Sequence, residues 1–188
     1  MAVGASGTRV HKRVSEDSFS HPCNAVVSFP VGPLTLVRTG DALTGVYFEN
    51  HAPAPLPARL GEPSTEGFDR IVSELTEYFA GARTSFTVPL LLVGTEFQVC
   101  VWNALRAIPY GETRTYTELA AAAGRPGSVR AAAAANARNP LSIVVPCHRV
   151  IGMNGSLTGF AGGVDVKKRL LDLERTRSPE GIALQHKS

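Results

Sequence analysis

The chain of 188 residues contains only three cysteines, one tryptophan and two methionines. Cys23, Cys100 and Cys147 are too few and too scattered for a disulfide framework, which points to a reducing compartment and so to the cytoplasm. Long apolar runs are missing too: the longest, residues 87–93, falls far short of the ~20 residues that a spanning helix needs. Residues 1–7 lack the apolar core of a secretory signal and lead into Arg9, Lys12 and Arg13, so a disordered leader is expected over residues 1–22. Metal-ligand clusters are equally sparse. His21 and Cys23 could begin a zinc site, but no second pair accompanies them, and neither a metal nor a cofactor is expected.

The formal net charge of +3 hides an asymmetry, with 7 basic and 9 acidic residues up to Leu92 and 12 basic and 7 acidic after it. A polyanion is therefore a candidate partner for the second part, although a solvated charged face would give the same count. Residues 152–163 are rich in glycine and carry one aromatic, Phe160. They lack a Gly-Lys-Ser/Thr ending and the strand-to-helix order of a dinucleotide fingerprint, which excludes nucleotide-cofactor binding. Small residues around Phe160 suit a backbone that closely approaches a flat ligand.

Residues 25–48 alternate short β-rich runs with Gly, Pro and Asp, which predicts an antiparallel meander of about three strands. Residues 51–67, with four prolines, read as a structureless surface loop. Phe68, Ile71, Val72, Leu75 and Phe79 then share one side of an amphipathic helix that stops near Gly81, and residues 90–93 read as an extended hinge. In the second part, Thr95 caps a helix with an inner stripe of Phe97, Val101, Ala104, Leu105 and Ile108, beside which Cys100 is expected to pack. Two short helices, residues 115–124 and 128–136, flank a tight turn in a helix-turn-helix pattern. Arg130, Ala134 and Arg138 share one face of the second of these, whose alanines let it lie close to a groove wall or to the protein interior. A last helix is expected over residues 166–173, ending in Glu174, with a flexible tail over 176–188.

The chemistry concentrates at residues 143–152. A β-branched run delivers Pro146, Cys147, His148 and Arg149 and returns at once to apolar residues, so the thiol is expected on a stiff turn where a strand-like element breaks. An imidazole and a guanidinium beside the sulfur lower its pKa if they approach it, and the thiolate is the nucleophile. A buried cysteine is usually structural. Here the basic pair would be costly to bury unless its charges were used or paired.

These residues, together with Gly94 to Gln98, Val101 and Trp102, Ile108 to Thr113, Tyr116, Leu119 and Ala120, Asn139 and Pro140, and Gly162 and Gly163, resemble the O6-alkylguanine-DNA alkyltransferases, also called methylated-DNA-protein-cysteine methyltransferases. The resemblance runs in order from about Gly94 to Glu174. It implies an α/β plus α fold: a small ribonuclease-H-like α/β domain over residues 23–92, then a winged helix-turn-helix-like alkyltransferase domain over 93–175. It further implies a single-use repair enzyme, acting as a monomer on double-stranded DNA that contains O6-alkylguanine, and leaves open whether O4-alkylthymine is also repaired. Cys147 would take the alkyl group as a stable thioether, His148 would accept the thiol proton through a water, and Glu174 would orient the imidazole. Asn139 would tie the recognition helix to the cysteine turn, and Tyr116 would donate toward guanine N3. The base would be flipped out. Arg130 would fill its place from the minor groove, with Ala131, Arg138 and Tyr116 along the DNA. Val150, Phe160, Ala161 and Asn136 would line the base pocket, Phe160 standing where many relatives have tyrosine. Two other classes share parts of the pattern. A cysteine hydrolase or acyltransferase would turn over on esters or amides, and a damage sensor would bind DNA without chemistry.

Overall fold

The computed structural model describes residues 21–177. The expected leader and tail lie outside these except at their inner edges, where Pro22 opens a strand and Thr176 and Arg177 still belong to a helix. As the turn residues predict, the described part starts with an antiparallel meander of β1 (Pro22–Phe29), β2 (Gly32–Thr39) and β3 (Ala42–Phe48). The Pro-rich stretch departs from expectation. It holds a one-turn helix, α1 (Pro57–Leu60), and a short strand, β4 (Glu62–Pro63), that pairs in parallel with β1 and gives the order β3-β2-β1-β4. Asn24 fixes this edge by donating through Nδ2 to the carbonyls of Leu60 and Gly61, a side-chain bond that proline content does not reveal.

The helix α2 (Asp69–Phe79) buries Ile71, Glu74, Leu75 and Tyr78, while the expected Val72 and Phe79 are only half-buried. Glu74 tolerates burial because its carboxylate accepts from the amides of Thr87 and Val88 and from the Thr87 hydroxyl. The segment read as a hinge is stitched to β3 instead: Leu43 donates to the Pro89 carbonyl at 2.8 Å, and Leu91 donates to that of Leu43 at 3.0 Å. The same edge receives the second half of the chain, with Val46 donating to Pro140 (2.8 Å) and Ser142 to Val46 (3.2 Å). An exposed edge of β3 is thereby covered. Leu34, Leu36, Val46 and Phe48 share one core with Trp102, Leu105, Leu141 and Val145.

In the second half, α3 (Glu96–Arg106) and α4 (Tyr116–Ala122) each begin with a capping box, Thr95 with Gln98 and Thr115 with Glu118. Gly124, at φ 78°, turns the chain out of α4 toward α5 (Val129–Ala137). Trp102, absent from the expected stripe of α3, is its largest buried side chain and donates through Nε1 to the Ala135 carbonyl at 2.9 Å, pinning α5 to α3. Cys100, expected to pack, is exposed. A two-residue strand, β5 (Arg114–Thr115), pairs in parallel with β6 (Val150–Ile151), and α6 (Val164–Arg177) closes the half. The last helix outruns its expected span, so Glu174 lies inside it rather than at its end.

Candidate active site

The β-branched run before Cys147 is not a strand. Residues 141–146 fold into tight turns, Val144 donating to Ser142 and Val145 to Leu141, and Ile143 takes φ 73°. A β-branched residue there is strained, and burial on all sides rather than ladder pairing explains its apolar sequence. The turns deliver a 3-10 turn, Cys147–Arg149, in which Cys147 is 2% exposed.

Asn139 holds this turn from the end of α5. Its Nδ2 donates to the Val145 carbonyl at 2.7 Å, which also accepts from the Cys147 amide at 2.8 Å, and its Oδ1 accepts from Leu141 at 3.0 Å. Burial pushes the Cys147 thiol up, opposed by the Asn139 amide, the Lys167 charge and nearby backbone amides. The charges expected to lower it, His148 and Arg149, point elsewhere. Both reach Glu174: His148 Nε2 lies 2.8 Å from Oε1, and Arg149 donates through Nε to Oε2 and through Nη2 to Oε1, each at 2.9 Å. The Gly111 amide also donates to Oε2, at 3.2 Å. Burial works to raise the Glu174 carboxyl, but His148 and Arg149 outweigh it and hold it well below the usual carboxylate range. Burial lowers His148 despite that carboxylate, which favours the neutral imidazole. Since Nε2 must carry its proton toward Glu174, the Nδ1 lone pair is left as a base, and Nδ1 has no partner among the described residues.

Lys167 was not foreseen. It is fully buried in α6 and donates through Nζ to the carbonyls of Val150 (2.6 Å) and Thr158 (3.1 Å), where burial lowers its pKa and a thiolate at Cys147 would raise it. The signal was present: Lys167, Leu170, Leu171 and Glu174 recur at helical spacing, which places both charged residues on the buried stripe. Tyr116 meets the same loop, its hydroxyl donating to the Thr158 carbonyl at 3.1 Å.

The glycine-rich loop is also held from the first half. Phe160 packs against the rings of Phe48 and His148, with centroids 5.4 and 6.4 Å apart, and the Ala52 amide donates to the Ala161 carbonyl at 2.9 Å. A Cβ on Gly162 would stand 2.5 Å from the Phe48 ring, so this approach demands glycine. Cys147, His148, Glu174, Asn139, Tyr116, Val150, Phe160 and Ala161 thus lie around one turn and one loop. On α5, Arg130, Ala131 and Ala134 are exposed, as is Arg138 at its C-cap, whereas Asn136 faces inward at 3% exposure. Close packing and an open small-residue face therefore occupy opposite sides of the helix.

Residues 96–176 match the family described as 6-O-methylguanine DNA methyltransferase, DNA binding domain, and residues 24–92 match its ribonuclease-like domain. The methylated-DNA–protein-cysteine methyltransferase of Mycobacterium tuberculosis is 46% identical over 158 residues, 84% of this chain and 95% of that protein. The Mycobacterium leprae protein of the same name is 49% identical over 147 residues, covering 78% of this chain and 88% of its own. A crystal structure of the M. tuberculosis protein in complex with DNA superposes with a TM-score of 0.79 at 45% identity, covering 86% of this chain and 98% of that one.

Proposed function

From the premise that the chain belongs to the 6-O-methylguanine DNA methyltransferase family, a methylated-DNA–protein-cysteine methyltransferase that repairs DNA by direct reversal, we propose that Cys147 is its acceptor thiol and O6-alkylguanine in duplex DNA its substrate. The observation that carries this reading is the buried Cys147 turn backed by the His148–Glu174 pair. The thiol proton passes through a water to His148 Nδ1, and the sulfur attacks the alkyl carbon attached to O6. A C–S bond forms as the C–O6 bond breaks, its electron pair staying on the guanine. Tyr116 exchanges its bond to Thr158 for one to guanine N3 and neutralises the departing anion with its proton, which the His148 imidazolium restores through solvent. The thioether has no leaving group that the protein can displace, so each molecule acts once.

The stacked base must leave the duplex to reach a thiol this buried. Arg130, on the exposed alanine-rich face of α5, fills the vacated space from the minor groove, with Ala131 and Arg138 along the backbone. Asn136 supports the pocket wall from inside α5. The carbonyls of Cys147 and Val150 receive the guanine amino group, the Ala161 amide faces O6, and Phe160 stacks on the ring. We take the protein to work as a monomer in the cytoplasm; no helix among the described residues is long and apolar enough to cross a membrane. Incubation with a methylated-guanine duplex tests the reading: one equivalent should add about 14 Da to the peptide carrying Cys147 and exhaust the activity. Repeated turnover, or label on Cys23 or Cys100, overturns it.

A further inference from the structure

We infer that Tyr78, in the ribonuclease-like half, is a positioning residue for methyl transfer: its hydroxyl donates to the same Glu174 oxygen that receives the His148 imidazole and governs how tightly that carboxylate holds the ring. The inference rests on the reading of His148 as the proton acceptor. Tyr78 Oη lies 2.8 Å from Glu174 Oε1, as does His148 Nε2. Of the described side chains and amides that hydrogen-bond Glu174, those of His148, Arg149 and Gly111 come from the second half; among the described residues Tyr78 alone crosses from the first, 96 residues away. It follows Ile71 by seven residues and Leu75 by three, so the helical period drives it inward with them, and it is fully buried. Phe79, Phe86 and Tyr110 surround its ring with centroids 5.3, 5.5 and 6.1 Å away, which fixes the direction of the hydroxyl.

A buried tyrosine needs some acceptor, and satisfying the phenol is one effect of this contact. The choice of acceptor gives it a second. Oε1 takes three donors, from Tyr78, His148 and Arg149 Nη2, and Oε2 takes two, from Arg149 Nε and Gly111. The charged and titratable groups facing the pair are Arg149 and Cys147 from the turn, Lys167 from α6, Tyr110 beneath the Arg149 guanidinium and Tyr78 from α2. Tyr78 is the member whose donor can be deleted with shape and net charge kept. With the hydroxyl gone, the charge on Oε1 is less compensated and pulls harder on an imidazolium, so His148 becomes the stronger base.

The test is the pH dependence of single-turnover methyl transfer from a duplex in wild type, Tyr78→Phe and His148→Gln. In wild type the rate should fall on the acid side as His148 becomes protonated, and His148→Gln should abolish that limb. Tyr78→Phe should move the limb to higher pH by about 0.5 unit with the plateau rate kept within about twofold. Loss of packing alone would lower the melting temperature or the plateau without moving the limb. Should Tyr78→Phe fold poorly, 3-fluorotyrosine at position 78, a stronger donor, should shift the limb the opposite way. A limb that vanishes in His148→Gln but stays in place in both Tyr78 variants overturns this inference alone. The lack of a limb in wild type, or one that survives His148→Gln, removes the reading of His148 as the base and this inference with it.

Discussion

Arg149 grips Glu174 with two parallel hydrogen bonds of 2.9 Å in a site where neither side chain meets much solvent. The guanidinium has a further acceptor in the Ile108 carbonyl at 2.6 Å, so this bidentate pair ties the cysteine turn, the end of α3 and α6 together. Removing one partner strands the other's charge, and Arg149→Met should cost about 3–5 kcal/mol in denaturant unfolding. The double variant Arg149→Met with Glu174→Gln should lose clearly less than the two single losses added. Additive losses would mean that the pair is not coupled. On the pH axis, a carboxylate held this low in the folded state adds stability that is complete above its unfolded pKa and fades as pH falls through the folded one.

His51 titrates in the opposite chemical sense but with the same direction of loss. Burial between the Tyr47 and Phe48 rings lowers it from 6.5 to about 4, so the unfolded chain takes up the proton first. Stability is complete above about pH 6.5 and declines as pH falls toward 4, by roughly 3 kcal/mol at most. His51→Phe should therefore gain in melting temperature over wild type at pH 5 relative to pH 8. Equal shifts at both values would show that His51 is not held neutral.

Arg130 projects from the exposed face of α5, opposite the buried Asn136. Arg130→Ala should slow repair of duplex DNA about tenfold or more, because extruding a base costs a few kcal/mol, and should spare the reaction with free O6-benzylguanine. Equal losses on the two substrates would assign Arg130 to the fold or the pocket.

Phe160 is proposed to stack on the base, and its substitutions separate shape from hydrogen bonding there. As a stacking wall backed by Phe48, it should tolerate Phe160→Tyr with little change in single-turnover rate, while Phe160→Ala should lose roughly 1–3 kcal/mol. Thermal melting controls for folding. A severalfold gain in Phe160→Tyr with no loss in Phe160→Ala would make a hydroxyl the functional group.

Local rules made much of the molecule readable in advance. Turn residues between β-rich runs mark the meander, Thr95 with Gln98 and Thr115 with Glu118 mark helix starts, and Gly124 marks the corner between α4 and α5. Cys147, His148, Asn139 and Glu174, named together from the family resemblance, lie around one turn in the structure, although Glu174 was placed at a helix end and lies inside it. Each of these signals acts over a few residues, so the chain carries it without its partners.

What the sequence determined by itself, then, was which residues are candidates for the chemistry and the local shape of the elements that bear them. Which charge faces the sulfur was decided by tertiary structure. Arg149, two residues from the sulfur in sequence, turns away to Glu174, and Lys167, twenty residues from it, approaches instead, because the 3-10 turn and α6 point their side chains by geometry rather than by distance along the chain. The same holds for Tyr78 and Phe48, whose contacts with Glu174 and Phe160 exist only once Leu141 and Ser142 have closed the edge of β3 and joined the two halves in one core. Hydrogen bonds and packing between residues a hundred positions apart follow from that joining, and no local period encodes it.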